Sequence, residues 1–228
     1  MVNIRISPQE LAAYFDHTQL KAWAVHQDFV KLCDESMEYG FKMVAINPAQ
    51  VIRCKSLLKG SSVHVGAAVG FPLGQTTIED KVNETGTAIA NGADEIDYVI
   101  NITELKEKNY SYIENEMVQI TEVCRKNKVI SKVIFENCYL TDKEKEELCR
   151  IALKVGPDYI KTSTGFGTGG ATLEDLALMK RMVGDKIKIK AAGGVRNLDT
   201  ALAMIDLGVS RIGSTASVLI IEELKNRL

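Results

Sequence analysis

Four polar side chains stand where short apolar runs end or nearly end: Asp16, Asp97, Lys161 and Lys190. Lys161 opens the stretch KTSTGFGTGG (161–170), in which four glycines follow within nine residues. A buried lysine is unfavourable, and glycines downstream indicate that another group approaches the backbone closely. Lys161 is therefore either a lysine that extends its ammonium to the end of a strand or an amine that performs chemistry.

Lys190 suggests how such an amine becomes reactive. It ends the run KIKIK (186–190), in which alternation places Lys186, Lys188 and Lys190 on one face. A second positive charge beside Lys161 disfavours protonation of that amine. A lysine with a pKa of about 10.4 is almost wholly ammonium at pH 7, whereas a depression of about 3 units frees around half of it. The free amine forms a Schiff base with a carbonyl, which is class I aldolase chemistry and needs no metal.

Asp97 lies in the run EIDYVI (95–100), where alternation places Glu95, Asp97 and Val99 on one face. Glu95 is expected to lie deeper in the fold than Asp97, and we interpret it as structural. Two interpretations of Asp97 stay open at this point. It is either a buried carboxylate neutralised by a lysine or a group that transfers protons during a reaction.

Two glycine-containing segments, AAGGVR (191–196) and RIGSTAS (211–217), follow the last two apolar runs. In barrels of alternating strands and helices, the loops after strands seven and eight often bind a phosphate through backbone N–H groups and a helix N-terminus. Gly165 is a candidate for a third edge of such a site. Each Gly-Gly pair alone is also typical of a tight turn, but the two loops together predict a phosphorylated substrate.

The elements that must position these residues are short β-rich runs that alternate with amphipathic helical stretches. The runs are 16–20, 43–46, 63–69, 95–100, 132–136, 159–163, 188–192 and 211–214. Eight strands, each followed by a helix, predict an α/β fold, a single (β/α)8 TIM barrel that spans 1–228. A doubly wound open sheet is the alternative.

Two helical details accompany this prediction. Ser7, Pro8 and Glu10 combine an N-cap, a first-turn proline and a capping-box acid, so they predict a short N-terminal helix that caps one end of the barrel. The stretch 104–127 is predicted to form one long helix or two, because NYSY interrupts its helical pattern.

Composition limits the classes of function. The chain has 228 residues, 46% of them hydrophobic, and a formal net charge of -2, so no overall charge attracts it to nucleic acid or to an anionic membrane. Five scattered cysteines and three histidines lack metal-ligand spacing. The N-terminal segment MVNIRISPQELAAYF has no signal-peptide core, and no apolar run reaches the roughly 20 residues of a membrane span. We expect a cytoplasmic protein with a small ligand and no metal.

The sequence resembles the deoxyribose-phosphate aldolase family along nearly its whole length. The resemblance is carried by DHTQL (16–20), FPLG (71–74), DEIDYVIN (94–101), KVIFE (132–136), YIKTSTGF (159–166), KAAGGVR (190–196) and RIGST (211–215). KTSTGF together with KAAGGVR is the specific combination, whereas FPLG alone is not. The resemblance implies a reversible reaction of acetaldehyde with glyceraldehyde 3-phosphate, without a cofactor, in a homodimer or higher homo-oligomer.

Roles for single residues follow from the same resemblance. It implies that Lys161 forms the Schiff base, that Lys190 perturbs the ionisation of Lys161, and that Asp97 handles protons through a bound water. It also implies that Asp16 and Thr18 lie near the substrate hydroxyl and this proton relay. The phosphate is expected on the backbone around Gly165, Gly193, Gly194, Gly213 and Thr215.

Two positions depart from the family pattern. Ala45 stands in VAINP, where the family commonly has a cysteine, so we expect weaker inactivation by reactive aldehydes. Ala216 stands where a second hydroxyl is common in the last phosphate loop, which puts phosphate preference in question. The same residues leave two alternative functions: a Schiff-base barrel aldolase for another phosphorylated sugar, and a phosphate-sugar binding protein without chemistry.

Overall fold

The computed structural model describes residues 6–228 of the protein. Within this range eight parallel strands pair in sequence order, and the last pairs with the first to close a barrel. The strands are β1 (Phe15–Gln19), β2 (Met43–Ile46), β3 (His64–Val69), β4 (Glu95–Val99), β5 (Ile130–Ile134), β6 (Tyr159–Lys161), β7 (Lys188–Ala192) and β8 (Arg211–Ser214). The predicted (β/α)8 barrel is confirmed, and the pairing of β1 with β8 excludes the open sheet.

Helices follow the strands around the outside of the barrel. They are α1 (Pro8–Ala12), α2 (His26–Tyr39), α3 (Val51–Leu57), α4 (Ile78–Ala90), α5 (Ile102–Lys106), α6 (Tyr110–Lys126), α7 (Asp142–Val155), α8 (Leu173–Val183), α9 (Leu198–Asp206) and α10 (Ser217–Arg227). Several begin at a side chain that accepts a backbone N–H of the first turn, as Thr77, Thr141 and Asn197 do. These caps match the Thr and Asn signals in the sequence.

Alternation along the strands separates two buried environments. In β4, Ile96 and Tyr98 belong to the hydrophobic core, whereas Glu95 and Asp97 form ion pairs with residues of other strands. The same separation holds in β7, where Ile189 lies in the core and Lys190 lies among charges. Apolar burial therefore holds the helices onto the sheet, and the interior of the barrel is left to polar chemistry.

For residues 104–127 the sequence predicted either one long helix or two, and the structure decides between them. Residues 104–127 belong to two helices, because α5 ends before Lys108, which has a left-handed φ of 60°. Asn109 then caps α6 by accepting the N–H of Tyr112. Strand β5 also differs from its predicted range of 132–136, since regular pairing ends at Ile134 and Glu136 adopts a φ of 57°.

The short N-terminal helix α1 begins as predicted. Ser7 and Glu10 form the reciprocal capping box, and Leu11 and Ala12 are buried. The helix immediately precedes β1 and contacts α10. Residues 1–5 of the N-terminal segment, to which the expectation of no signal peptide applied, lie outside the described residues. Among the helices of residues 6–228, none combines the length and apolar character needed to cross a bilayer.

Candidate active site

A cavity of about 340 Å³ lies at the carboxyl ends of the strands, where the loops of a barrel meet. Both candidate lysines, Lys161 and Lys190, lie in its wall. Every predicted phosphate-loop residue and one of the two residues expected near the substrate hydroxyl also lie there: Thr18, Gly165, Gly193, Gly194, Gly213 and Thr215. The barrel therefore collects residues from β1 and from the last three strands around one space.

Lys161 ends strand β6 and is almost completely buried. Its Nζ lies 2.7 Å from Asp97 Oδ2 and 5.3 Å from the centroid of the Phe71 ring, which belongs to the FPLG motif. Burial, and then the charges of Lys190 and Lys132, lower the pKa of Lys161 to about 8 against the opposing attraction of Asp97. The sequence predicted that Lys190 lowers this pKa, but burial is the larger cause.

Asp97 is the common partner of three lysines. Its carboxylate accepts hydrogen bonds from Lys132 at 2.7 Å, from Lys161 at 2.7 Å and from Lys190 at 2.6 Å. Burial by itself raises the pKa of Asp97, but the three ammonium charges together hold this pKa well below its usual value. Asp97 is thus a neutralised carboxylate, in line with the first interpretation, and it also contacts the Lys161 amine, which the second interpretation requires.

Lys132 is a residue that sequence reasoning missed. It lies opposite Asp97 in the register of β4 and β5, and it contacts the carboxylates of both Asp97 and Glu95. Burial lowers the pKa of Lys132, but Asp97, Glu95 and Asp16 outweigh burial and raise it. The signal was present in KVIFE, because a lysine that alternates with apolar residues in a buried strand must point to the polar face.

Asp16 was predicted near the substrate hydroxyl and the proton relay. Like Asp97, it is buried and does not line the cavity. Its Oδ2 lies 2.5 Å from the Nζ of Lys190, and its Oδ1 accepts a hydrogen bond from Nε of Arg211 at 2.7 Å. One oxygen thus pairs with Lys190 of the cavity wall and the other with Arg211. Asp16 is in direct contact with one candidate lysine, and Thr18 lies in the wall.

Arg211 is the second residue that the sequence argument missed. It donates to Asp16 and, at 3.2 Å, to Glu95, which precedes Asp97 by two residues in β4 and is fully buried. Burial lowers the pKa of Arg211, but Asp16 and Glu95 raise it beyond its usual value. In RIGST (211–215), the sequence indicated a role only for the glycine and the hydroxyl-bearing residues.

The glycine-rich loops after β6 and β7 contact each other through their backbones. Gly193 and Gly194 have φ values of 83° and 80°, a conformation that side-chain-bearing residues rarely adopt. The N–H of Ala171 donates to the carbonyl of Gly193 at 3.1 Å, which joins the loop after β6 to the loop after β7. A Cβ on Gly170 would lie 2.2 Å from that carbonyl oxygen, so the contact requires glycine there.

Known proteins are similar to this chain in sequence and in fold. The DeoC/LacD family aldolases match residues 11–213. A deoxyribose-phosphate aldolase of Lactobacillus acidophilus is 56% identical over 219 residues, covering 96% of this chain and 92% of that protein. A deoxyribose-phosphate aldolase from Bacteroides thetaiotaomicron is 52% identical over 220 residues, covering 96% of this chain and 92% of that protein. The tetrameric structure of deoxyribose phosphate aldolase from Aeropyrum pernix superposes with a TM-score of 0.90 at 28% identity, covering 97% of this chain and 94% of that one.

The matched range contains the buried lysine pair, Asp97 and the glycine loops, so the resemblance and the geometry concern the same residues. On the length of that match and the identity to two curated relatives, the chain belongs to the DeoC/LacD family of aldolases.

Proposed function

We propose that the protein, acting as one domain over 1–228, is a class I aldolase for 2-deoxy-D-ribose 5-phosphate. It reversibly cleaves this sugar to acetaldehyde and D-glyceraldehyde 3-phosphate through a Schiff base on Lys161. The observation that carries the proposal is the buried Lys161 amine in the cavity wall, with a pKa of about 8 and Asp97 at 2.7 Å. The names of the curated relatives support the substrate.

In the cleavage direction, the neutral amine of Lys161 attacks the aldehyde carbon of the open-chain sugar. The resulting carbinolamine loses water and becomes an iminium, which withdraws electrons from the neighbouring carbon. Burial supports this step because a lysine with a pKa of about 8 is about one tenth free base at pH 7, far more than an exposed lysine.

The iminium then accepts the electrons of the C2–C3 bond. The proton of the C3 hydroxyl leaves at the same time, and Asp97 with Lys190 receives it through a water molecule. Asp97 suits this role through its contacts with both lysines, at 2.7 Å to Lys161 and 2.6 Å to Lys190. Glyceraldehyde 3-phosphate departs, the enamine carbon takes back a proton, and hydrolysis of the new iminium releases acetaldehyde and the free lysine.

The phosphate is proposed to bind the loops after β6, β7 and β8, with Thr18 near the substrate hydroxyl. Gly165, Gly193 and Gly194 line the cavity with positive φ values, and turns with such residues commonly bind anions through backbone N–H groups, which supports this placement. Ala45 also lies in the wall and offers no thiol to an aldehyde. The N–H of Ala216 donates to Ser214 at 2.9 Å, so Ser214 and Ala216 are already engaged with each other.

Borohydride trapping tests the Schiff base. We expect reduction in the presence of acetaldehyde to attach an ethyl group to the peptide that contains Lys161, and Lys161→Met to abolish the adduct. Lys188→Met is the matched control, because Lys188 lies on the same sheet face at the solvent-exposed end of β7. An adduct on another lysine, or none, would refute the assignment of Lys161.

The substrate is tested separately by the cleavage of 2-deoxyribose 5-phosphate. Release of acetaldehyde and glyceraldehyde 3-phosphate is the expected result. Assays with other acceptor aldehydes distinguish the alternative, a Schiff-base aldolase for a different phosphorylated sugar. A Schiff base without cleavage of deoxyribose phosphate would favour that alternative, and neither activity would favour a binding protein.

We further propose a homodimer or higher homo-oligomer in the cytoplasm, with no nucleic acid or membrane partner. The tetrameric relative from Aeropyrum pernix and exposed apolar side chains such as Ile52 and Leu219 support assembly. All five cysteines are free thiols, which suits a reducing compartment. Sedimentation equilibrium tests the assembly, and a purely monomeric protein would contradict it. Cell fractionation tests the location.

A further inference from the structure

Glu136 occupies an irregular position directly after β5. The N–H of Phe135 donates to the carbonyl of Lys161, and the N–H of Asn137 donates to the carbonyl of Thr162. Regular pairing would advance by two residues on both strands, but here the partner strand advances by one, so Glu136 is the extra residue of a bulge. Its φ of 57° is left-handed, which is uncommon outside glycine. Such bulges re-aim a side chain and concentrate next to active sites.

The bulge directs the Glu136 carboxylate to the loop that follows the Schiff-base lysine. Oε1 accepts the backbone N–H of Thr164 at 3.1 Å, and Oε2 accepts the hydroxyl of Thr164. The Thr164 oxygen in turn accepts the N–H of Phe166 at 3.0 Å. One buried carboxylate therefore fixes the backbone on both sides of Gly165.

This loop packs tightly around Glu136. A Cβ on Gly167 would lie 3.2 Å from the carboxyl carbon of Glu136 and 2.7 Å from Sγ of Cys138. Glu136 itself is 1% exposed and absent from the cavity wall, whereas Thr164 and Gly165 line the cavity. Glu136 consequently does not reach a ligand in the cavity. It acts on the cavity only through the shape of the loop 164–167.

We propose that Glu136 is a positioning residue for the substrate phosphate: by holding Thr164, it fixes the loop after β6 in the shape that binds phosphate. The inference rests on the proposed function and adds a determinant of phosphate specificity to it. Charge-assisted hydrogen bonds from two donors to one carboxylate are strong and directional, so they suit the fixing of a loop. A loop held in advance of binding loses less entropy when the phosphate arrives.

The test compares two sugars that differ only in phosphate. In Glu136→Gln one acceptor oxygen and the negative charge are lost, so we expect the KM for 2-deoxyribose 5-phosphate to rise about tenfold, while kcat changes less than about threefold. For unphosphorylated 2-deoxyribose, kcat/KM should stay within about threefold of wild type. Titration with inorganic phosphate should show an affinity reduced by about tenfold.

Glu144→Gln is the matched control. Glu144 also accepts the backbone N–H and the hydroxyl of one threonine, Thr141, but it caps helix α7 and does not line the cavity. Its loss should leave the KM for both sugars and the phosphate affinity unchanged. Equal losses on both sugars in Glu136→Gln, or no change on either, would overturn the proposal.

Variants of Thr164 test the hydrogen bond between its hydroxyl and Glu136 if Glu136→Gln fails to fold. Thr164→Val removes the hydroxyl and should raise the KM for the phosphorylated sugar, whereas Thr164→Ser keeps the hydroxyl and should restore it. In the double variant Glu136→Gln/Thr164→Val, the KM for the phosphorylated sugar should be no higher than in the more impaired of the two single variants, because both substitutions break the same interaction. Additive losses, or failure of Thr164→Ser to restore binding, would contradict the proposal.

Different results would refute the proposed function and the role of Glu136. A wild-type protein that cleaves neither sugar would refute the proposed function, and the phosphate titration would then still judge Glu136. A wild-type protein that cleaves deoxyribose phosphate, with a Glu136→Gln variant of unchanged phosphate preference, would refute only the role of Glu136.

Discussion

Inside the barrel, four basic side chains share three carboxylates. They are Lys132, Lys161, Lys190 and Arg211 with Asp16, Glu95 and Asp97. Three positive charges would balance three negative ones, so the network is neutral when one base gives up its proton. Arg211 does not deprotonate at accessible pH, and carboxylates on two sides hold the proton on Lys132. Lys161 has only Asp97 as its acidic partner, which explains why it is the base with the lowered pKa.

The first prediction concerns the pH dependence of cleavage. The pKa of Lys161 is lowered to about 8, and the reactive form is the unprotonated amine. We therefore expect kcat/KM for deoxyribose phosphate to rise with pH and to level off above about pH 8 to 9. A rate profile between pH 5 and 10 measures this limb. A limb near pH 10.5 would mean that burial does not lower the pKa of Lys161.

The second prediction concerns Lys190→Leu. Without Lys190, Lys161 becomes the third positive charge that the three carboxylates require, so its pKa should rise and the activity limb should move alkaline by about one unit. The shift is smaller than full restoration because Lys161 stays buried. Lys188→Leu, which alters the exposed end of the same strand, should leave the limb in place. An unmoved limb in Lys190→Leu would remove Lys190 from this role.

At the level of elements, the site depends on loops that fix one another. The bulge after β5 holds the loop after β6, and that loop in turn touches the loop after β7 through Ala171 and Gly193. Short strands thus place glycine-rich backbone through contacts between neighbouring loops. If phosphate binds as proposed, its recognition depends on these contacts and not on a single glycine motif.

The third prediction tests the contact between two of these loops. In Gly170→Ala the new Cβ would lie 2.2 Å from the carbonyl oxygen of Gly193, so the loops must separate and the KM for the phosphorylated sugar should rise by about tenfold. Gly86→Ala is the control, because its Cβ meets nothing within 4 Å in the middle of α4. It should stabilise the fold by about 0.5–1 kcal/mol without altering KM. Equal KM values in both variants would contradict the contact.

At the scale of the whole molecule, closing the barrel and assembling the site are one event. Arg211 of the last strand binds Asp16 of the first, and the β1–β8 pairing brings these residues together. Asp97 of β4 likewise meets lysines from β5, β6 and β7. A partly closed barrel would leave buried charges without partners, which is strongly unfavourable.

The fourth prediction concerns acid stability. Burial raises the pKa of Glu95, but Lys132, His64 and Arg211 bring it well below its ordinary value, and the lysines do the same for Asp97. A lowered folded-state pKa adds stability that is fully present above about pH 5 and is lost as the pH falls toward that pKa. The free energy of unfolding should therefore decrease steeply below about pH 5. Urea denaturation at a series of pH values measures this slope.

Glu95→Gln supplies the comparison. It leaves Lys132 and Arg211 with less negative charge, so the variant should lose about 3 kcal/mol at pH 7 and show a shallower decrease at low pH. Glu79→Gln, an exposed change in the first turn of α4, should retain the wild-type slope. A wild-type slope in Glu95→Gln would show that Glu95 does not carry the acid sensitivity.

Local patterns in the sequence were sufficient for the architecture. Alternation in EIDYVI assigned Glu95 and Asp97 to one face, Thr and Asn residues located helix starts, and the order of strands and helices indicated the barrel. These features depend on neighbours along the chain, so the sequence contains them directly. The exception is the bulge at Glu136, a left-handed residue that no local preference predicts, whereas NYSY indicated the break at Lys108 without deciding it.

The sequence by itself determined the fold class, the lysine pair and the glycine loops, because each arises from residues close together in the chain. Only the tertiary structure decided which charges share Asp97, that Asp16 pairs with both Lys190 and Arg211, and that burial is the main cause of the low pKa of Lys161. Ion pairing and desolvation depend on depth and on neighbours from distant strands. Closure of the barrel creates both.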